Sequence, residues 1–411
     1  MRILILADDL TGANDTAIQF VKRGFSALVV ACPEPPDPSV CAGYEVVALN
    51  SDTRNMSRSE ACDRIRNMLV RLKPEKVYKK VDSVLRGNPG AELAAVMDEL
   101  DLPLAVAAPS FPVNRSVIEG GILKSGGGTN PAEINAVTVF AESRKPTESI
   151  PLDIIRRGCK AALDYTLSRY AAGVRVFVAD AVSDDDLETV YRMSAVLEKP
   201  HILAGAAGLA NQVARLAAVP KGIPKPSVPL DGYAPALVIA GTRQGETADQ
   251  IVFLSQARSV PVIRFKSDLV TQNQIGDAVR AAYQEAAEQL KKKVPVCIIA
   301  VESMFKAEIP AGTVSRGNAD CAAISAALGV LAGRLMEDFL FPVIITTGGD
   351  TSLEVCRRLG AAGIRPFAEI CPGIPIGCIV GGRYENRYII TKSGRFGNED
   401  ALTEILRWLG V

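Results

Sequence analysis

Short apolar runs alternate with helix-like segments along almost the whole chain, and this alternation constrains the fold more than any other feature. In the first half the strand-like runs extend from Arg2 to Ala7 through Leu104 to Ala108, with amphipathic segments between them. Residues 151–170 predict one helix, and the Gly-rich residues 115–135 predict a loop or an excursion from the sheet. Strands joined by helices run parallel, with right-handed crossovers. The sequence therefore predicts an α/β protein with mostly parallel sheets.

A proline-dense stretch divides the chain. Residues 219–235 read VPKGIPKPSVPLDGYAP, with five prolines and little apolar periodicity. Segments of this composition are extended and semi-rigid, and a chain of 411 residues suits two domains. We predict an α/β domain at 1–219, a linker at 220–235 and a second α/β domain at 236–411.

Composition argues against several classes of function. The 46 lysines and arginines balance the 46 aspartates and glutamates, so no basic excess favours nucleic acid as a partner. The apolar runs are far shorter than the roughly 20 residues of a membrane helix, and the N-terminal run is too short for a signal peptide. The nine cysteines are scattered, without a CxxC pair, which suits thiols in a reducing cytosol. We expect a cytoplasmic protein with no membrane partner.

His201 is the only histidine. A zinc site with several histidines is therefore excluded, and a Ser-His or Cys-His pair would depend on this one residue. Because it directly precedes the apolar run at residues 202–204, we predict a structural role for it. Any acid–base catalysis then falls to aspartate, glutamate or lysine.

Polar clusters follow four strands of the first half at the point where each strand ends. They are Asp8-Asp9, residues 51–54 (SDTR), residues 82–88 (DSVLRGN) and residues 109–115 (PSFPVNR). Parallel strands end at the same edge of a sheet, and open α/β sheets bind ligands there. Carboxylates, arginines and hydroxyls at one edge suit a small polyhydroxy acid, with an arginine fork or a lysine on its carboxylate.

Three loops rich in glycine and hydroxyl groups follow strands of the second half. They are residues 241–245 (GTRQG), 346–352 (TTGGDTS) and 392–397 (KSGRFG). Glycine lets the backbone approach a phosphate, and the amides of a helix N-terminus favour anions. Each loop alone is equally compatible with an ordinary turn, but three in one half favour nucleotide or phosphate binding. The P-loop, the Rossmann fingerprint and the protein-kinase motif set are all absent.

Six segments together resemble the family of four-carbon acid sugar kinases, a former domain of unknown function that includes kinases for threonate, erythronate and 3-oxo-tetronate. In chain order they are ADDLTGA (7–13), KKVDSVLRGN (79–88), APSFPVNR (108–115), AGAAGLA (204–210), TGGDTS (347–352) and TKSGRFG (391–397). The chain departs from the family pattern at Val84, at Asn114 and in the turn at 241–244. The last departure leaves the nucleotide contacts near 241–245 open.

The resemblance implies a first domain that binds the sugar acid, a second domain that binds ATP, and an active site in the cleft between them. It implies transfer of the γ-phosphate to the terminal hydroxyl at carbon 4, and an ATP complex usually requires Mg²⁺. By position the family's substrate contacts fall on Asp9, Arg54, Lys80, Val81, Asp82 and Ser83, to which the strand-end argument adds Asp8 and Arg86. The nucleotide contacts fall on Thr242, Thr347, Gly348, Gly349, Asp350 and Gly394.

We predict that Asp9 orients the acceptor hydroxyl or acts as its general base, with Asp350 as the rival. The alternative interpretation of Asp350 is a helix N-cap. Lys80 and Arg86 are candidates to hold the substrate carboxylate or to stabilise the transferring charge. Two other functions stay open, another sugar-acid enzyme such as a lyase and a non-catalytic sensor of sugar acid or nucleotide. The choice among the four-carbon acids and the oligomeric state, a homodimer included, stay open too.

Overall fold

The computed structural model describes residues 2–32, 38–72, 74–125, 132–217, 235–305 and 318–410. The chain divides into two units, Met1–Ile223 and Pro224–Val411. The predicted linker, 220–235, lies outside the described residues except for Pro235.

The first unit is a parallel sheet with helical connections. Its strands are β1 (Ile3–Ala7), β2 (Ala27–Val30), β3 (Val46–Asn50), β4 (Lys76–Lys80), β5 (Leu104–Ala108), β6 (Ser116–Glu119), β7 (Ile122–Ser125), β8 (Ala132–Asn135), β9 (Thr147–Ile150), β10 (Val176–Ala179) and β11 (His201–Gly205). Its helices are α1 (Leu10–Val21), α2 (Pro38–Cys41), α3 (Arg58–Leu72), α4 (Pro89–Glu99), α5 (Ala136–Ala141), α6 (Leu152–Arg156), α7 (Cys159–Ala171), α8 (Asp184–Ala195) and α9 (Ala207–Ala217). The main strands run in the order β2-β3-β1-β4-β11-β5-β10-β9, and every pairing among them is parallel.

Local sequence explains these elements. Strands β1 and β5 are continuous apolar runs that are buried throughout, as expected where helices cover both faces of a parallel sheet. Helix α3 opens with a capping box, in which Glu60 N donates to Ser57 Oγ at 3.4 Å and Ser57 N donates to Glu60 Oε2 at 3.1 Å.

One prediction for this unit is resolved and another needs correction. Of the two alternatives for residues 115–135, a loop or an excursion from the sheet, the described residues form an excursion, the separate antiparallel sheet β6-β7-β8. The single helix predicted at 151–170 is two helices, α6 and α7, because Gly158 between them has φ +98°. A left-handed conformation of this kind ends a helix, and glycine adopts it at little cost.

The second unit carries a mixed sheet. Its strands are β12 (Ala236–Ala240), β13 (Val262–Phe265), β14 (Val296–Val301), β15 (Val343–Thr347), β16 (Gly363–Cys371), β17 (Ile374–Val380) and β18 (Tyr388–Lys392). Its helices are α10 (Gly245–Arg258), α11 (Ser267–Thr271), α12 (Ile275–Lys291), α13 (Asn318–Asp338), α14 (Gly349–Arg358) and α15 (Ala401–Leu409). The order is β13-β14-β12-β15-β18-β17-β16, in which β16 and β17 are antiparallel to their partners and the other pairs are parallel. The prediction of an α/β protein with mostly parallel sheets is confirmed.

In each unit the strand order reverses at the first strand of that unit. In the first, the chain leaves β1 for β2 and β3 on one side and returns to β4 on the other; in the second, β12 stands likewise between β14 and β15. Open α/β sheets bind ligands at such reversals, beyond the carboxyl ends of the strands. The loops after β1 and β4, and those after β12 and β15, are therefore where chemistry is expected.

The single histidine lies away from these edges. His201 begins β11, and its Nδ1 lies 2.7 Å from the Lys199 carbonyl oxygen. Among the described residues no three His, Cys, Asp or Glu side chains are grouped to hold a metal ion. In the same part of the chain, no helix is long and apolar enough to cross a membrane.

Candidate active site

Arg54 contacts three aspartates at one edge of the first unit's sheet. It follows β3, and its Nε and Nη2 donate to Oδ2 and Oδ1 of Asp8 at 2.8 and 2.9 Å. Its Nη1 donates to Asp9 Oδ2 at 2.8 Å, and its Nη2 lies 3.4 Å from Asp82 Oδ1. One guanidinium thus contacts carboxylates from the ends of two neighbouring strands, β1 and β4.

Asp9 is held by its own helix as well. It is the N-cap of α1, where Oδ1 accepts from Gly12 N at 2.8 Å and Oδ2 accepts from Thr11 Oγ1 at 2.6 Å. Burial pushes the pKa of the Asp9 carboxyl up, but Arg54, the Thr11 hydroxyl and Lys80 outweigh burial and hold that pKa below its ordinary value. Asp9 is therefore a fixed carboxylate at neutral pH.

Asp82 forms a second fork. Arg86 Nε and Nη2 donate to its Oδ2 and Oδ1 at 2.9 and 2.8 Å. Burial would raise the pKa of Asp82, but Arg54 and Arg86 hold it well below its ordinary value. The hydrogen bond from Arg86 to Asp82 in turn raises the pKa of Arg86. Both arginine forks are thus occupied by aspartates, although an arginine fork was one of the two groups predicted to hold the substrate carboxylate, a lysine being the other.

Lys80 is the third cation of this group. It ends β4, is buried, and donates from Nζ to the Val81 carbonyl oxygen at 2.7 Å. A Cβ at residue 12 would lie 2.6 Å from Asp9 Oδ1 and 3.3 Å from Lys80 Nζ. The Gly12 backbone therefore packs so closely against the Asp9 carboxylate that a side chain at this position would collide with it, and the Lys80 ammonium lies on the same side.

The other predicted substrate residues frame this group. The Val81 side chain is buried in the core, and the Ser83 carbonyl oxygen accepts from Ser116 Oγ at 2.5 Å. In the loop after β5, Ser110 Oγ donates to the Ala181 carbonyl oxygen at 2.8 Å, a structural contact. Arg115 in that loop is exposed, with φ +54°. Asp8, Asp9, Arg54, Lys80, Asp82 and Arg86 are brought together at one sheet edge, with three negative and three positive charges.

The glycine loops of the second unit converge on Thr242. A Cβ at Gly394 would lie 2.5 Å from Thr242 Oγ1 and 2.7 Å from Gln244 Cγ. A Cβ at Gly348, which has φ +97°, would lie 3.4 Å from Thr242 Cβ. The loops after β12, β15 and β18 therefore pack closely together; a side chain at residue 394 would collide with Thr242, and the positive φ of Gly348 favours glycine.

Two helices begin at this meeting point without a side-chain cap. Gln244 is the N-cap of α10 and does not cap it through its side chain; Gly348 is the N-cap of α14 and has no side chain to do so. Uncapped amides at a helix N-terminus form a ready anion site. The N-cap interpretation of Asp350 is wrong, since Gly348 is the N-cap and Asp350 is the exposed second residue of α14. Thr347, the last residue of β15, buries a hydroxyl that has no hydrogen-bond partner among the described residues.

Three further residues support the loops and were not among the predicted contacts. Thr247 Oγ1 donates to the Gly394 carbonyl oxygen at 2.7 Å. Gln250 Nε2 reaches the carbonyl oxygens of residues 396, 397 and 398 at 3.1, 3.0 and 2.9 Å. The Lys392 carbonyl oxygen accepts a hydrogen bond from Gly348 N at 2.9 Å. Buried polar residues in the first turns of a helix that follows a glycine loop are the signal that could have identified Thr247 and Gln250.

The sequence matches two family models. Residues 3–213 match a sugar-binding N-terminal domain, and residues 237–402 match a nucleotide-binding C-terminal domain. A D-threonate kinase of Bordetella bronchiseptica is 30% identical over 413 residues, covering 97% of this chain and 95% of its own. A D-erythronate kinase of Heliobacterium modesticaldum is 26% identical, with 99% and 97% covered. A 3-oxo-tetronate kinase of Cupriavidus necator is 29% identical, with 98% and 96% covered.

Solved structures agree with this fold. A protein from Salmonella typhimurium LT2 superposes with a TM-score of 0.75 at 25% identity, over 99% of both chains. A Haemophilus influenzae protein superposes with a TM-score of 0.68 at 22% identity, over 98% of both, which bears on the fold alone. With full-length relatives and both domain models matched, the chain belongs to the four-carbon acid sugar kinase family.

Proposed function

We propose that this protein is an ATP-dependent kinase that phosphorylates the terminal carbon-4 hydroxyl of a four-carbon acid sugar. Threonate, erythronate and 3-oxo-tetronate are the candidate acceptors, as the names of its relatives suggest. The observation that carries the proposal is the fixed carboxylate of Asp9 beside the Lys80 ammonium, at the strand-order reversal of the first unit. Phosphoryl transfer depends on positioning and charge neutralisation, and these groups supply both.

On the acceptor side, Asp9 orients the hydroxyl and accepts its proton as the bond to phosphorus forms. Arg54 acts through Asp9, because its guanidinium fixes the carboxylate and keeps it ionised. Lys80 holds the substrate carboxylate, since the forks of Arg54 and Arg86 are occupied by Asp8 and Asp82. The Val81 and Ser83 backbones line the same loop.

On the nucleotide side, Thr242, Gly348, Gly349 and Gly394 place main-chain amides and one hydroxyl around the phosphates. Mg²⁺ normally binds phosphate oxygens and waters together with one or two carboxylates. The exposed carboxylate of Asp350, in the first turn of α14, fits the role of one such ligand. Thr347 offers its unpartnered hydroxyl from the end of β15.

A screen of ADP release over four-carbon and a few five-carbon sugar acids tests the proposal. We expect ADP to form in equal amount to a phosphorylated product with at least one four-carbon acid. A lyase would consume the acid without ATP, and a sensor would bind without multiple turnover. Either result would contradict a kinase.

We also propose a cytoplasmic location. The support is that the nine cysteines are scattered along the sequence without a CxxC pair, which suits a reducing compartment. A homodimer remains part of this proposal, and sedimentation velocity at several protein concentrations would test it.

A further inference from the structure

The second unit buries a lysine that the proposed reaction does not use. Lys392 ends β18, and its residue is 0% exposed. Its Nζ donates to the Ser393 carbonyl oxygen at 3.0 Å and to Thr247 Oγ1 at 3.3 Å. Both partners are neutral oxygens. Among the described residues, Glu246 is the charged group whose field acts on this ammonium.

A buried ammonium without a carboxylate partner is costly, and such a group either loses its proton or acquires an anion. Burial lowers the pKa of Lys392 from 10.5 to about 7, while Glu246 acts in the opposite direction. Near neutral pH the free protein therefore holds Lys392 as a mixture of amine and ammonium.

The position of Lys392 points to an anion rather than to a structural role. Thr247 lies in the first turn of α10, so the ammonium is placed beside the positive end of that helix. Cations are normally unfavourable there. The same Thr247 hydroxyl donates to the Gly394 carbonyl oxygen, and Gly348 N donates to the Lys392 carbonyl oxygen. Lys392 therefore lies directly beneath the loops that meet at Thr242.

The surrounding elements offer little competing charge. Thr347 is the register partner of Lys392 on β15, so the two side chains project from the same face. Its unpartnered hydroxyl adds a neutral polar group there. From α10 the charged neighbour is Glu246, and α14 carries Asp350 in its first turn. Strand β17 pairs with β18 through Ile376, Gly377 and Cys378.

We propose that Lys392 is the buried counter-charge of the nucleotide phosphates and that nucleotide binding is accompanied by proton uptake at its amine. The inference rests on the proposed function, because it requires that a nucleotide binds the second unit. The proton comes from solvent, and the neutral amine becomes the ammonium that the phosphates stabilise. Lys392 thereby raises nucleotide affinity from beneath the loops.

Titration calorimetry of ADP into the full chain tests this at pH 8, in two buffers with different ionisation enthalpies. At that pH the ADP phosphates are deprotonated in solution, their second pKa being about 6. We expect uptake of a substantial fraction of one proton per ADP bound. Lys392→Met is expected to remove that uptake and to weaken ADP binding by about tenfold or more, as loss of a nearby opposite charge implies.

Lys291→Met, at an exposed position in α12, is the matched control and should leave affinity and proton uptake unchanged. Lys392→Gln keeps a polar group without the charge and should behave like Lys392→Met. Wild-type affinity and proton uptake in a folded Lys392→Met variant would overturn the inference while leaving the kinase proposal intact. Failure of the wild-type protein to bind ADP would instead overturn the kinase proposal and, with it, this inference.

Discussion

Arg54 binds both carboxylate oxygens of Asp8, with Nε and Nη2 at 2.8 and 2.9 Å, while the same guanidinium reaches Asp9. Arg54 is also within 3.4 Å of Asp82. Burial lowers the pKa of Arg54, but the three aspartates raise it well above its ordinary value. The arginine is therefore a permanent charge on which the acids of the site depend.

Replacing Arg54 by Met should destabilise the protein by about 3–5 kcal/mol, because it leaves buried carboxylates uncompensated. Urea denaturation at pH 7 measures this loss. Arg157→Met is the control, since Arg157 pairs with Asp153 on the surface with both side chains more than half exposed. It should cost less than about 1 kcal/mol. Adding Asp8→Asn to Arg54→Met should recover part of the loss, and no recovery would contradict this account.

The Arg54 effect should depend on pH. Asp9 and Asp82 have folded-state pKa values below the ordinary 3.8, so their contribution to stability is present above that value. It is lost as the pH falls through the lowered pKa values. Removing Arg54 takes away a charge that lowers both pKa values, so the difference in stability between variant and wild type should narrow as the pH falls below 3.8. A constant gap in urea denaturation would refute the assignment.

Replacing Asp9 by Asn should lower kcat by roughly 10²- to 10⁴-fold, the usual range for loss of a general base. Asn is a good N-cap, so the first turn of α1 and the fold should survive. The KM for ATP should stay close to that of the wild type. Asp164→Asn, in an exposed pair with Lys160, is the control. Wild-type kcat in Asp9→Asn would remove Asp9 from catalysis.

Replacing Gly394 by Ala should raise the KM for ATP by roughly tenfold or more, because small displacements of binding groups are costly. The new Cβ would lie 2.5 Å from Thr242 Oγ1, so the loop must shift. Gly276→Ala is the control, since a Cβ there meets no atom within 4 Å. Steady-state kinetics with ATP varied measures the effect. An unchanged KM in Gly394→Ala would argue against nucleotide at this loop.

Replacing Lys392 by Met should stabilise the nucleotide-free protein, most strongly at low pH. The folded pKa of Lys392 is about 7 against an ordinary 10.5. The unfolded chain therefore binds the proton more tightly, and the cost to the folded state is full below pH 7 and vanishes above 10.5. Thermal melts of wild type and variant from pH 6 to pH 10 should converge as the pH rises. Curves that run parallel would show that Lys392 does not titrate in this range.

The strand ends were predictable from the sequence. An apolar run indicates a buried strand, and a charged pair directly after it indicates where the strand reaches the edge of the sheet. Asp8 and Asp9 directly follow β1, as the pattern indicated. Such patterns do not predict which strands lie next to each other in the sheet. That Asp82 lies beside Arg54 depends on β1 standing between β3 and β4, and the sequence alone does not fix that order.

Other features could not be predicted from the sequence, for local reasons. Strand β16 contains Pro366, which argues against a strand, and the structure places a register shift between Pro366 and Ala368. A β-bulge of this kind accommodates a residue that cannot donate to the ladder. The forks of Arg54 and Arg86 could not be predicted from the sequence either, because charge counts do not say which carboxylate an arginine will bind.

The contacts of Arg54 also bear on how the site comes into being. Its partner Asp8 is 46 residues away along the chain, so the pair closes a long loop across β1 and β3. Contacts between distant residues form late and cooperatively, because the entropy of closing the loop precedes the gain. Acceptor binding should therefore return only with the last phase of refolding, which makes catalytic activity a stringent reporter of the assembled sheet.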